Sequence, residues 1–201
     1  MSTKPANAAD DPVARLLAGY RTIPGVPDEL IGADGRLRPV WNRLVGAIAA
    51  MSAEELAMRR ARGDLYLRDA GVFYRQYGGQ SGQQAATERD WPPGHMPVLI
   101  DEAEWQGIAA GLAKRADLLE RVMADIYGPN RLVAEGLLPA GVVADNPEWL
   151  RPLVGTVPRS GHFLHFVAFD IGRGPGGRWW VLGDRTQAPS GAGFALENRI
   201  A

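Results

Sequence analysis

The side chains best suited to chemistry lie between His162 and Arg199, where carboxylates, an arginine and a glycine-rich turn follow each other closely. Asp170 precedes the run Gly172-Arg173-Gly174-Pro175-Gly176-Gly177, and Asp184 and Arg185 precede Gln187-Ala188-Pro189-Ser190-Gly191-Ala192-Gly193. A carboxylate at a strand end can accept N–H groups of the following turn, or it can hold a cation or substrate. Both uses stay open for Asp184. Asp170 opens a turn, where aspartate is common for turn reasons alone. Arg185 carries a planar fork of donors that fits a phosphate or carboxylate, and an ion pair with Asp184 or Glu197 uses the same donors. The stretch Pro189 to Gly193 can turn successive backbone N–H groups towards an anion if a helix follows through Ala195 and Leu196. A plain strand-to-helix turn needs the same residues. In the anion-binding case Gln187 and Ser190 add side-chain donors to the same ligand.

Other chemistries are excluded or disfavoured. The chain has no cysteine, which removes disulfides, thiolate nucleophiles and cysteine-based zinc sites. His162 and His165 are three apart, which on a strand sets them on opposite faces and makes them a poor metal pair. A hairpin turning near Gly174-Pro175 places His165 roughly across from Asp184, and a structural bond to a neighbour is the simpler use of its ring. No nucleophile-elbow pattern supports hydrolase chemistry. The formal net charge is -1 over 201 residues, and Trp91, Trp105, Trp149, Trp179 and Trp180 stand in no basic stripe, so we expect no nucleic-acid partner. No apolar run approaches the ~20 residues of a membrane span, and the start MSTKPANAADDP lacks a leader pattern. The expectation is no membrane association and a cytoplasmic location. Lys4 and Lys114 are the only lysines among 22 basic residues.

The elements that must position these groups follow from periodicity. Residues 1–12 read as a disordered tail. Residues 13–70 form a helical region, with a helix after Trp41 and a second one capped by Ser52 and Glu55. Residues 71–77 are β-prone, and 78–93 read as a loop. Asp101 with Glu104 caps a long helix whose apolar face runs through Trp105, Ile108, Leu112, Leu119, Val122 and Ile126. A short helix covers 130–135. Residues 162–170 and 178–184 then pair as an antiparallel hairpin, with aromatics on both faces that call for a covering layer. The fold class is α/β: a helical N-terminal region, then an incomplete mixed sheet with a hairpin at 162–184.

The run Gly183-Asp184-Arg185-Thr186-Gln187-Ala188-Pro189-Ser190-Gly191, continued by Phe194 to Arg199, resembles the signature of the circularly permuted ATP-grasp (type 2) proteins. So do Arg68 to Tyr77, Glu104-Trp105, Lys114-Arg115-Ala116, Asp125 to Gly128 and Glu135 to Pro139. The resemblance spans about residues 60–201 and implies that 71–201 is the N-terminal part of an ATP-grasp domain. It further implies, for the complete protein, ATP- and Mg2+-dependent joining of a carboxylate to an amine, as in glutathionylspermidine synthetase-like ligases. On that basis Asp184 and Arg185 are the expected catalytic residues and Asp170 and Asp184 the expected metal ligands. Gln187, Ser190, Gly191, Gly193 and Arg199 are the expected nucleotide contacts. Many family members carry Glu-Asp-Asn where this chain has Gly183-Asp184-Arg185, and a glycine and a cation cannot ligate magnesium. The nucleotide-clamping strands and lysines of the permuted order come after the hairpin. The expectation is therefore a segment inactive alone, which oligomerises or joins a second polypeptide carrying the rest. The alternative is a non-catalytic module that binds a peptide or carboxylate.

Overall fold

The computed structural model describes residues 11–76 and 87–201, and the chain divides into two compact units. One comprises residues up to Ile100 together with Ser190–Ala201, and the other runs from Asp101 to Pro189. Helices and strands are mixed, with the described strands in two separate antiparallel pairs.

In the first unit, residues 1–10 of the expected tail lie outside the described part, and Asp11 already caps helix α1 (Pro12–Leu17) by accepting the Val13 N–H at 2.9 Å. Proline at the first helical position costs nothing, because its missing N–H would have had no helical partner. Leu30, Trp41 and Val45 are the buried centre, with Val13, Leu17, Leu37 and Leu44 packed around it. The loop into this core is held by Asp28, which accepts the Leu30 and Ile31 N–H groups and the Tyr20 hydroxyl. Burial opposes the charge on Asp28, but those three donors more than offset it and its carboxyl lies below the ordinary range.

Helix α2 (Asn42–Ala49) is followed by α3 (Ala53–Asp69). Ser52 caps α3 by accepting the Glu55 N–H at 3.1 Å, while the Glu55 carboxylate turns outward to Arg59. Gly71, at φ 75°, ends the helix: its N–H reaches Arg68 O and the Val72 N–H reaches Leu67 O. That pair of hydrogen bonds, with a left-handed glycine, draws Val72 back towards Leu67, and both are buried. The strands β1 (Phe73–Gln76) and β2 (Thr87–Asp90) pair from Phe73↔Asp90 to Gln76↔Thr87. Thus 87–90, expected as loop, is strand, whereas 77–86 lies outside the described residues. Trp91 stacks on Phe194 (4.7 Å) and meets the Tyr74 ring at a tilt (4.9 Å).

The second unit is organised on α4 (Glu102–Ile126), capped by Asp101 at the Ala103 N–H as its sequence indicates. Near its end Asp125 accepts the Arg131 and Leu132 N–H groups, which starts α5 (Arg131–Ala134) after a left-handed Asn130. A further helix, α6 (Ala140–Ala144), follows. Glu120 of α4 accepts the N–H groups of Phe163 (2.9 Å) and Leu164 (2.8 Å), and Phe163 stacks on Tyr127.

That anchoring corrects the hairpin. Because the Phe163 and Leu164 donors go to a helix carboxylate, they are not available to a strand ladder. Strand β3 therefore covers Ala168–Arg173 rather than starting at 162, and it pairs with β4 (Trp179–Arg185). Phe169, not His165, stands opposite Asp184, and the His165 ring lies 3.5 Å from Ser160 Oγ. Beyond the hairpin, α7 (Ala192–Ile200) belongs to the first unit.

Candidate functional site

The register of the hairpin decides which way its carboxylates face. Asp170 pairs with Gly183 but Ile171 pairs with Val181, so Leu182 is an extra residue, a β-bulge. In a regular strand Val181, Gly183 and Arg185 would share one face. The bulge shifts that phase by one. Val181 and Trp179 line a groove against α4, Leu182 is 73% exposed on the other side, and Asp184 turns back to α4.

There Asp184 meets Arg115 in a two-pronged pair, Nε to Oδ1 at 2.6 Å and Nη2 to Oδ2 at 2.7 Å. The hydrogen bonds from Arg115 hold the Asp184 carboxyl below the usual carboxylate range and raise Arg115 correspondingly. Asp170, with its side chain on the Gly183 face, instead receives Arg185 Nε at 3.0 Å and Nη2 at 2.9 Å. Hence Arg185 pairs with Asp170 and not with the neighbouring Asp184. Glu197 accepts the Tyr66 hydroxyl within the first unit.

One turn-and-strand further, Glu104 accepts both terminal nitrogens of Arg173 (2.6 and 3.0 Å) and the Trp179 indole N–H (2.9 Å). The Arg173 guanidinium lies 4.5 Å over the Trp179 ring, and its side chain is 9% exposed. Between the Glu104 and Arg115 clusters, Gly107, Ile108, Gly111, Leu112, Ile171 and Val181 line a groove of about 470 Å³. A Cβ added at Gly107 or Gly111 would meet nothing within 4 Å, so the two glycines leave this helix face open.

The remaining expected contacts are divided by the chain's two units. Gln187 donates to Glu148 in the second unit, and Ala188 beside it holds a left-handed φ of 38°. Ser190, Gly191, Gly193 and Arg199 lie in the first unit, at the start of α7 or on it, and are exposed. Gly191, at φ 112°, is the residue before the helix, and no side chain caps its first turn.

Sequence reasoning missed Arg115, Glu104, Arg173 and Glu148 as parts of the site. For the first two a signal existed: 104, 107, 108, 111 and 115 recur at helical spacing on one face of α4.

Comparison with known proteins gives the chain its relatives. The model of the family described as circularly permuted ATP-grasp type 2 matches residues 97–201. An uncharacterized protein of Synechocystis is 34% identical over 86% of this chain and 35% of its own length. An uncharacterized protein of Mycobacterium tuberculosis is 33% identical over 93% of this chain and 23% of its own length. A Frankia casuarinae protein named "Putative glutamate--cysteine ligase 2-2" is 32% identical over 99% of this chain and 22% of its own length. The chain thus spans about a third or less of these relatives.

Proposed function

The chain belongs to the circularly permuted ATP-grasp type 2 family, and from that premise we propose that it is the N-terminal segment of an ATP-dependent ligase that joins a carboxylate to an amine. The observation carrying this reading is the family match over 97–201, which includes the hairpin, the consecutive residues Asp184 and Arg185 and the turn into α7. The Frankia relative's ligase name supports the same reaction class. In such a ligase ATP, with magnesium, activates a carboxylate by phosphorylation and the amine displaces the phosphate.

Within that reaction this chain's residues bind and orient. Arg185, 66% exposed while tied to Asp170, contacts a phosphate or carboxylate with a guanidinium whose direction is fixed. Ser190, Gly191 and Gly193 offer donors at the start of α7, with Gln187 and Arg199 as further nucleotide contacts. The substrates are small-molecule or peptide carboxylates and amines. Catalysis belongs to the longer protein: phosphoryl transfer is mostly positioning and charge neutralisation, and the aligned relatives devote about two thirds or more of their length to other segments. This segment is inactive by itself and works in the cytoplasm together with the remaining segments.

Two titrations test this. Calorimetry of the purified chain with ATP and magnesium should show no micromolar binding. Such binding, lost in Arg185→Ala and Asp184→Asn, would instead make these residues part of a self-sufficient nucleotide site. The full-length Synechocystis relative should release ADP only when a carboxylate and an amine are both supplied. Peptide binding without any ATP turnover in that protein would replace the ligase reading with that of a binding module.

A further inference from the structure

Magnesium enters with the family resemblance, and Asp170 and Asp184 are the carboxylates on this hairpin that would hold it. Their arrangement does not fit one ion. The bulge at Leu182 turns Asp184 towards α4, while Asp170 lies on the opposite face with Gly183 and Arg185. Both oxygens of Asp184 are already taken by the fork of Arg115, and Asp170 Oδ2 accepts two nitrogens of Arg185. Magnesium demands oxygens converging at about 2.0–2.1 Å in near-octahedral order. An ion placed at either carboxylate would stand beside a guanidinium that repels it. Among the described residues no group of three or more histidine and acidic side chains gathers to hold a metal.

We propose that guanidinium groups stand on this hairpin where the family pattern leads one to expect a divalent ion: Asp184 positions Arg115, and Asp170 positions Arg185. The two carboxylates are positioning residues that fix cationic side chains. The bidentate form of the Arg115 pair is the geometry that fixes direction as well as place, which a lysine's point charge would not. The inference stands on the hairpin's geometry and does not depend on the ligase reading. It relocates any magnesium of the complete protein to other segments.

Manganese, followed by the loss of its free-ion EPR signal, is a suitable probe for the full chain. Wild type should show no Asp184-dependent site tighter than about 1 mM, the weak limit of built oxygen sites. Arg115→Gln frees the carboxylate and should tighten manganese binding at least about tenfold, whereas Arg115→Lys, which keeps the charge, should not. The gain should vanish in Arg115→Gln with Asp184→Asn. A wild-type site that is lost in Asp184→Asn overturns the proposal, and so does a folded Arg115→Gln with no gain. Should Arg115→Gln fail to fold, Asp184→Asn carries the test. Its isotherm must then superimpose on that of wild type, and any loss of binding overturns the inference.

Discussion

Removing the Glu104 carboxylate should destabilise the second unit by a large and separable amount. Glu104 accepts hydrogen bonds from both terminal nitrogens of Arg173 and from the Trp179 indole. The Arg173 side chain is 9% exposed, so water replaces little of what is lost, while its bond to Gly177 O and its contact with the Trp179 ring are not touched by the change. Breaking a fully buried pair costs about 3–5 kcal/mol, mostly through the charge left behind. Glu104 is itself 26% exposed, which admits some solvent and places Glu104→Ala at the low end, about 3 kcal/mol. Glu104→Gln keeps an acceptor but loses the charge, and should cost about 1.5 kcal/mol. Arg173→Met in the Glu104→Ala background removes the cation that has lost this carboxylate and should restore about half of the loss. Because the chain has two compact units, hydrogen exchange of peptides from α4 and the hairpin is the appropriate assay. A Glu104→Ala loss below about 1 kcal/mol, or strictly additive effects in the double variant, would refute this reasoning.

Acid should erase the Asp184 contact in a defined direction. Its folded carboxyl is depressed by Arg115, so the stabilisation is complete above the unfolded value of about 3.9 and is lost as pH falls through the lower folded value. The difference between wild type and Asp184→Asn in urea should therefore be present at pH 6, shrink below pH 4 and weaken with salt. Two backbone substitutions should act with opposite signs. Gly71→Ala forces a left-handed φ of 75° on alanine with no side-chain contact to offset it, and should destabilise by about 1 kcal/mol. Ala188→Gly relieves the same kind of strain at φ 38° and should stabilise by several tenths of a kcal/mol, both read from urea midpoints at constant slope.

What could be read from the sequence was whatever local chemistry decides. The Asp101 cap and the helical span of α4, the Ser52 cap of α3 and the glycine turn at 174–177 depend on residues within one or two turns of each other. Strand β2 escaped because Thr87-Glu88-Arg89-Asp90 has no apolar alternation, and its register comes from β1. The start of β3 escaped because Glu120, far away in sequence, takes the Phe163 and Leu164 donors.

The same distinction explains the site. The Gly183-Asp184-Arg185 run was visible, and counting by twos from Trp179, which faces α4, puts Arg185 on that face and Asp184 on the other. One unpaired residue, Leu182, reverses this assignment. With the bulge, the acidic side chain meets Arg115 on α4 and the basic one folds back onto Asp170, so no carboxylate of the hairpin is left without a cation of its own. A regular strand with the same residues would have turned Arg185 towards Arg115 and left Asp184 on the Trp180 face. The bulge, rather than the motif alone, therefore determines what charge this hairpin presents.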